Sequence, residues 1–453
     1  MLNSIERGLV DLERRLPGLI SRPRDAGYAT AVGIWAKQVD IKPQVVVHCK
    51  SAADIQAAIR FAGEHAMPLS VRGGGHDWAG RALCDGVVID LGGLRGVAVD
   101  ADRRVATIGG GARAGDVTAV TDALGLAVVA GSASSVGMAG LTLGGGYGAL
   151  IGRFGLALDN LIGAEIVLAD GRIVSADPTG HADLFWALRG GGGNFGVVTS
   201  MRHRAHAMPS VHSGMLVYPF SEAVSVLARC VEIELAAPEA LTVQHVLLAD
   251  PDGTPMTIIV PTWCGDPDEG EARLAPFLRL GTLLAGQIER QSYGTLLSMF
   301  DAHIPNGLQV VMDSCWLPAF DGSGIEAAVG AMTNAVSPGC AIITHGFRGA
   351  ASRIPDDATA FGLRRDHTLV EILAMFPDRS VAADRLLHQN WVRSTREGFK
   401  AALPGGYPHF LGRDDFERAS RSYGNNIGML QEVKHRYDPE NVFHSAIPLP
   451  RRA

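Results

Sequence analysis

The chain has 453 residues, with 47% hydrophobic and 19% charged side chains and a formal net charge of −7. That length calls for two domains. The apolar content suits a large core, the charge is too low for a disordered chain, and the acidic balance excludes the basic surface that nucleic acid requires. Glycine is the outlier at 56 residues, most of them before residue 211 and gathered in short runs between apolar segments. In such runs the chain turns tightly or brings its backbone against a ligand.

In chain order, residues 1–35 read as an amphipathic helix and an irregular arm. The opening MLNSIERGLVDLERRLPGLI lacks the unbroken apolar stretch of a signal peptide, and no run of about 18 apolar residues occurs anywhere, so a cytoplasmic protein with no membrane span is expected. Val45–His48 reads as a strand, and Ser51-Ala-Ala-Asp54 opens a helix by capping its free N–H groups. Pro68–Arg72 is a short strand that runs straight into Gly73-Gly74-Gly75-His76. Strands at 87–91, 96–100 and 105–108 precede a helix over 113–124 that stops at Gly125. Glycines then recur every few residues to Gly155. Asp170-Gly171 marks a hairpin between 164–169 and 172–175. A helix at 181–189 meets Gly190–Gly193, and a strand follows at 197–204. Beyond Pro209 glycine thins out; helical patterns at 221–235, 268–284 and 381–402 alternate with strands such as 255–260 and 340–347, which places a second domain over about 211–400. From 405 the chain is again rich in Gly, Asn, Asp and Tyr and returns to the first domain. The six cysteines are scattered with no metal spacing and read as reduced, mostly buried thiols.

Gly191-x-Gly193-x-x-Gly196 fits the dinucleotide expression, but a helix precedes it and a strand follows, the reverse of a nicotinamide site. The runs at 73–75, 144–146 and 190–193 are better explained by main-chain amides set against phosphates. His203 and His206 fall on opposite faces of a strand, so no metal site is expected. Arg364, Arg365 and His367 read as an exposed basic patch rather than an anion site.

Val71-Arg72-Gly73-Gly74-Gly75-His76 resembles the p-cresol-methylhydroxylase (PCMH) type of FAD-binding domain of the vanillyl-alcohol-oxidase superfamily. The likeness runs on through Gly131–Gly148 (GSASSVGMAGLTLGGGYG), Phe154-Gly-Leu-x-x-Asp159-Asn160, Asp183-Leu-Phe-Trp186-Ala-Leu-Arg189-Gly190, Gly193-Asn194-Phe195-Gly196-Val197-Val198-Thr199 and Lys434-x-x-Tyr437-Asp438-Pro439-x-Asn441-x-Phe443. Together these motifs are similar to the berberine-bridge-enzyme-like oxidases, in particular the bacterial 6-hydroxy-D-nicotine-oxidase-like branch. The resemblance implies an α+β fold: an FAD-binding domain over 35–208, a substrate-binding domain over 211–400 whose sheet is covered by helices, and a C-terminal segment over 405–453 that rejoins the first. It implies FAD held by Arg72, Gly73, Gly74, Gly75 and Asp77, by Ser132, Ser135, Val136, Gly137, Gly140, Gly144, Gly145, Gly146 and Gly148, by Asn194, Gly196, Val197 and Val198, and by Asn441. It also implies that His76 takes the covalent 8α-histidyl bond. Doubly linked members carry a cysteine where this chain has Ala133, so a single link is expected and large sugars become poor candidates.

Hydride transfer from a substrate C–H to the flavin needs a base for the neighbouring O–H or N–H. The family's Tyr-x-Asn segment corresponds to Tyr407-Pro408-His409 here, and either Tyr407 or His409 is the candidate base. Tyr147 lines the flavin or packs in the core. The implied activity is oxidation of a small organic alcohol or amine with O2 as acceptor, giving hydrogen peroxide, with natural-product or alkaloid metabolism as one implied setting. A flavin-dependent dehydrogenase, an oxygenating enzyme and a non-catalytic flavin-binding protein stay open. Oligomeric state stays open too.

Overall fold

The computed structural model describes residues 4–37, 40–250, 252–377 and 382–450. Three larger sheets organise the described residues, beside a two-stranded pair of Leu126–Ala127 with His206–Ala207. The first has the order Ile20–Ser21, Val45–His48, Val87–Asp90, Leu69–Arg72, with the last three strands parallel. Its valine- and isoleucine-rich strands are buried, as central parallel strands must be. The helix Ala52–Glu64 packs on it and opens with the expected Ser51/Asp54 capping box. The second sheet is antiparallel, in the order Val97–Asp100, Val105–Gly109, Val197–Arg204, Leu161–Val167, Ile173–Ala176. Asp170-Gly171 turns its last hairpin, with Gly171 at φ 84°.

The third sheet has eight antiparallel strands, with a central order of Pro255–Trp263, Leu241–Ala249, Cys340–Phe347, His367–Phe376, Gln309–Leu317. Its strands alternate strictly. Val243, Leu247, Ile342 and Ile372 face the helices Ala223–Ala236, Gly322–Thr333 and Ala382–Gly398 and form a core with Leu227, Ile325 and Trp391. The opposite face looks into a cavity shared with the first two sheets.

Two expectations are corrected. The helix read over 268–284 is only Gly270–Leu274 followed by a 3-10 turn, Ala275–Arg279; Pro276 has no N–H to continue the α-helical ladder. The basic patch is no single surface feature: Arg365 is exposed, but Arg364 and His367 are buried. Arg364 forks onto Asp159 at 2.9 and 3.0 Å, and His367 accepts from or donates to the Tyr147 hydroxyl at 2.8 Å. The Arg364–Asp159 pair fastens the third sheet's flank to the glycine-rich half. Among the described residues, no helix is long and apolar enough to cross a membrane.

Candidate active site

The glycine runs meet one another and the C-terminal return around a cavity of about 410 Å³. Gly74 and Gly137 touch backbone to backbone: a Cβ on Gly74 would lie 2.4 Å from the Gly137 Cα, which no side chain survives. Gly73, Gly74, Gly75, His76, Asp77, Ser132, Val136, Gly137, Gly140, Gly196 and Val198 all line the cavity, with Ala133 beside them. Tyr407, His409 and Tyr147 line it as well. Residues more than 300 positions apart in sequence thus share one chamber.

Two arginines tie the loop after His76 to that return. Arg81, itself buried, donates to the carbonyls of Pro408 at 3.2 Å, His409 at 3.4 Å, Leu411, and Gly412 at 3.5 Å. Arg413 reaches back to the carbonyls of Gly80 and Leu83, both at 2.7 Å. Trp78 Nε1 adds a bond to the His409 carbonyl at 3.0 Å. Asp77 spends its carboxylate on the same loop, accepting from the backbone N–H groups of Ala79 at 3.0 Å and Ala82 at 2.8 Å.

Trp35 lies flat on His76, with ring centres 4.5 Å apart and planes within 5°. Its backbone N–H donates to the Gly75 carbonyl at 2.9 Å, which fixes the stack. Burial, then the Arg113 cation, lower the His76 pKa to about 4, against a weaker opposite pull from Asp301. The imidazole is therefore neutral near pH 7, with a lone pair to give. Arg113 also donates to the Gly74 carbonyl at 3.2 Å and brings positive charge to the glycine wall. No signal in the sequence pointed to Trp35 or Arg113.

The base candidates differ in setting. Tyr407 is buried; its Oη accepts from the Gly146 N–H at 3.0 Å, and its ring stands edge-on to Tyr147 at 5.0 Å. Burial raises its pKa well above the ordinary phenol value; the Gly146 N–H opposes this and the Glu371 charge adds to it. Burial and Arg81 lower His409 to about 4, although the backbone of Gly140 and Leu141 pulls the other way. Its Nε2 has no partner and is pressed on Gly144, where a Cβ would come within 2.1 Å. The glycine run 144–146 therefore makes room for Tyr407 and His409.

The sheet supplies a group the sequence reading missed. Glu371 lines the cavity, and its Oε2 stands 3.3 Å from His345 Nε2; His345 Nδ1 is 3.5 Å from Gln244 Nε2. The one trace in the sequence is a lone acid inside the apolar strand HTLVEILAMF.

A family profile described as FAD binding domain matches residues 43–177, and one described as berberine and berberine like matches 404–450. The FAD-linked oxidoreductase pgmH of Aspergillus terreus is 30% identical over 480 residues, covering 98% of this chain and 96% of that one. The chain belongs to the FAD-linked oxidoreductases. The 6-hydroxy-D-nicotine oxidase of Arthrobacter nicotinovorans has the same fold at a TM-score of 0.87 and 26% identity, over 96% of this chain and 98% of that one. A chitooligosaccharide oxidase shares the fold at 0.85 and 21% identity, with full coverage of both chains.

The site of this FAD-linked oxidoreductase fits the cofactor on its own terms. One wall is bare glycine backbone with a cation beside it, suited to a diphosphate. At its edge stands a neutral imidazole. Several residues expected at the cofactor lie behind this wall and shape it. Arg72 pairs with Asp90 at 2.9 Å and donates to the Gly33 carbonyl at 3.1 Å. Asn194 holds the Gly191 and Ile447 carbonyls, each at 2.9 Å. Val197 is buried with Val167 and Phe443. Gly144, Gly145, Gly146 and Gly148 pack against His409, Tyr407, Ala157 and the Ala130 carbonyl. Ser135 and Asn441 also stand off the cavity wall. The glycines among them pack chain on chain.

Proposed function

We propose that this protein is an FAD-dependent oxidase that takes a hydride from a small organic alcohol or amine and passes the electrons to O2, releasing hydrogen peroxide. FAD is tethered by His76 alone, residues 35–208 with 405–453 hold it, and 211–400 supply the substrate wall. The observation that carries the reading is convergence: the glycine wall, a neutral His76 and an acid–base group on the sheet all face one cavity. Ala133 lines that cavity, and none of the six described cysteines does, which supports the single link.

When bound, FAD accepts the hydride from the substrate C–H. The chain's part is to orient the substrate and move its proton. Glu371 gives one carboxylate oxygen to His345 and keeps the other for a substrate O–H or N–H, which makes it the best-placed acceptor. Tyr407, kept protonated by burial, acts as a donor that fixes the substrate's polar atom. His409 is neutral and basic enough in principle, but its free nitrogen rests on Gly144. Trp35 and Trp78 line the chamber as well.

Oxygen uptake with peroxide measured in parallel tests the reading. One peroxide per substrate is expected, and photoreduced enzyme should regain its oxidised-flavin absorption promptly in air. Turnover that occurs only with an artificial electron acceptor would move the protein to the dehydrogenases.

A further inference from the structure

The register of the third sheet sorts the substrate wall into rows. Backbone pairing sets Gln244 beside His345 and His345 beside Leu369. One step along the same face it sets Val246 beside Ile343 and Ile343 beside Glu371. A further step brings Leu248, Ala341, Leu373 and Met312 into line. Every hydrogen-bonding side chain that these rows turn to the cavity therefore falls in the first two.

Other elements extend this gradient. At the polar end Tyr147 stands edge-on to His345 at 6.4 Å, and the Tyr407 N–H donates to Ser314, which pairs in register with Glu371. At the other end Leu373, Met312 and Ala341 cluster with Trp35, and Ile304 and Phe410 pack against them. Trp35 is the residue stacked on His76. The chamber thus runs from a polar pole at Glu371–His345–Tyr407 to an apolar pole beside His76.

We propose that the substrate is a mainly apolar ring- or chain-bearing molecule with one O–H or N–H donor. It binds with that donor at Glu371 and its body along Leu248, Leu373 and Met375 toward Trp35; oligosaccharides are not substrates. This rests on the oxidase reading above. A sugar carries a hydroxyl on nearly every carbon. One of those reaching the third row could meet the unpartnered Nε1–H of Trp35; the others would be buried without partners, and each such loss weakens binding by about tenfold or more. A body without the donor would leave the carboxylate unanswered. The shared fold with a chitooligosaccharide oxidase does not by itself assign a sugar to this wall, because its chemistry is set by side chains and register rather than by architecture.

The test is an anaerobic titration of the oxidised holoenzyme, read as perturbation of the flavin spectrum, with naphthalenemethanol, naphthalenemethylamine, methylnaphthalene and cellobiose as probes. The alcohol or the amine should bind at least about tenfold more tightly than methylnaphthalene, and cellobiose should leave the spectrum unchanged at millimolar concentration; the better of the first two names the donor. Glu371→Gln should shrink the gap between the donor-bearing probe and methylnaphthalene. Leu373→Gln should weaken both by a similar factor, and Leu373→Ala serves if that variant loses its flavin. Tighter binding of cellobiose than of naphthalenemethanol, an equal affinity for methylnaphthalene, or no response to any aromatic probe overturns the proposal. Cellobiose oxidised with peroxide release would overturn it and leave the oxidase reading standing. Aromatic binding with no flavin reduction by any donor-bearing probe would do the reverse.

Discussion

The two walls of the cavity are built on different principles. The cofactor wall is nearly all backbone: glycine runs folded against each other, with one imidazole at the edge. The substrate wall is all side chain, projected from strands that lie up to 130 residues apart and are aligned only by pairing. A wall of main chain recognises the phosphates common to every copy of a cofactor. A wall of side chains can be rewritten one position at a time, so specificity resides there.

The sharpest way to separate the walls is His76→Ala. It should abolish the covalent link completely while the substrate wall still binds its probes: acid-precipitated protein should give a colourless pellet and a yellow supernatant. A pellet that stays yellow would place the bond elsewhere. Asp159→Ala attacks the seam between the walls. Arg364 would be left buried and unpaired, at a cost of about 3–5 kcal/mol; chemical denaturation measures it, and a loss under 1 kcal/mol would show the halves are held together by other contacts. Glu371→Gln acts on the substrate wall alone. Flavin reduction in single-turnover mixing should slow on the order of 10²-fold with the covalent link intact. Tyr407→Phe, which removes one hydrogen bond, should slow it by no more than about tenfold. The reverse ranking would return the base role to Tyr407.

The mildest probe is pH. Burial holds His203, His245 and His409 at a pKa of about 4 and His367 at about 3. Below the ordinary histidine pKa of about 6.5 the unfolded chain takes up protons that the folded protein refuses, so stability falls on acidification toward pH 4. Asp90 adds a later step. Its burial alone would raise its pKa, but His48 and Arg72 bring it to about 2, so its contribution, present above the usual carboxylate pKa, disappears as pH falls toward that value. A melting temperature a few degrees lower at pH 5.5 than at pH 7.5 is expected; no change would mean these histidines are open to water.

Much of the cofactor wall was legible because a glycine run has few explanations, and because strand, run and histidine followed one another without a gap. That sequence matched the motif of the family it resembles and so pointed to His76, while Tyr407 and His409 were pointed to by the family's Tyr-x-Asn segment. What the pattern could not separate was glycine facing a ligand from glycine facing another chain: Gly74 and Gly144 look alike in sequence, yet one lines the chamber and the other seats a histidine. Arg364 misled for a related reason, since its partner Asp159 lies 205 residues away and charge alone reads as surface. Glu371 stayed hidden because its meaning depends on strand register, which no local window contains. Trp35 sits in an arm with no regular structure to predict its direction.

The reciprocal arginine clasp between residues 80–83 and 408–413 has a consequence for biogenesis. Chains are made from the N-terminus, and segments fold as they emerge. The histidine loop leaves the ribosome early, but the carbonyls that Arg81 grips arrive more than 300 residues later. Flavin loading is therefore expected to wait for release of the finished polypeptide. Stalled nascent chains ending near residue 400 should carry no tethered flavin, however long they are held.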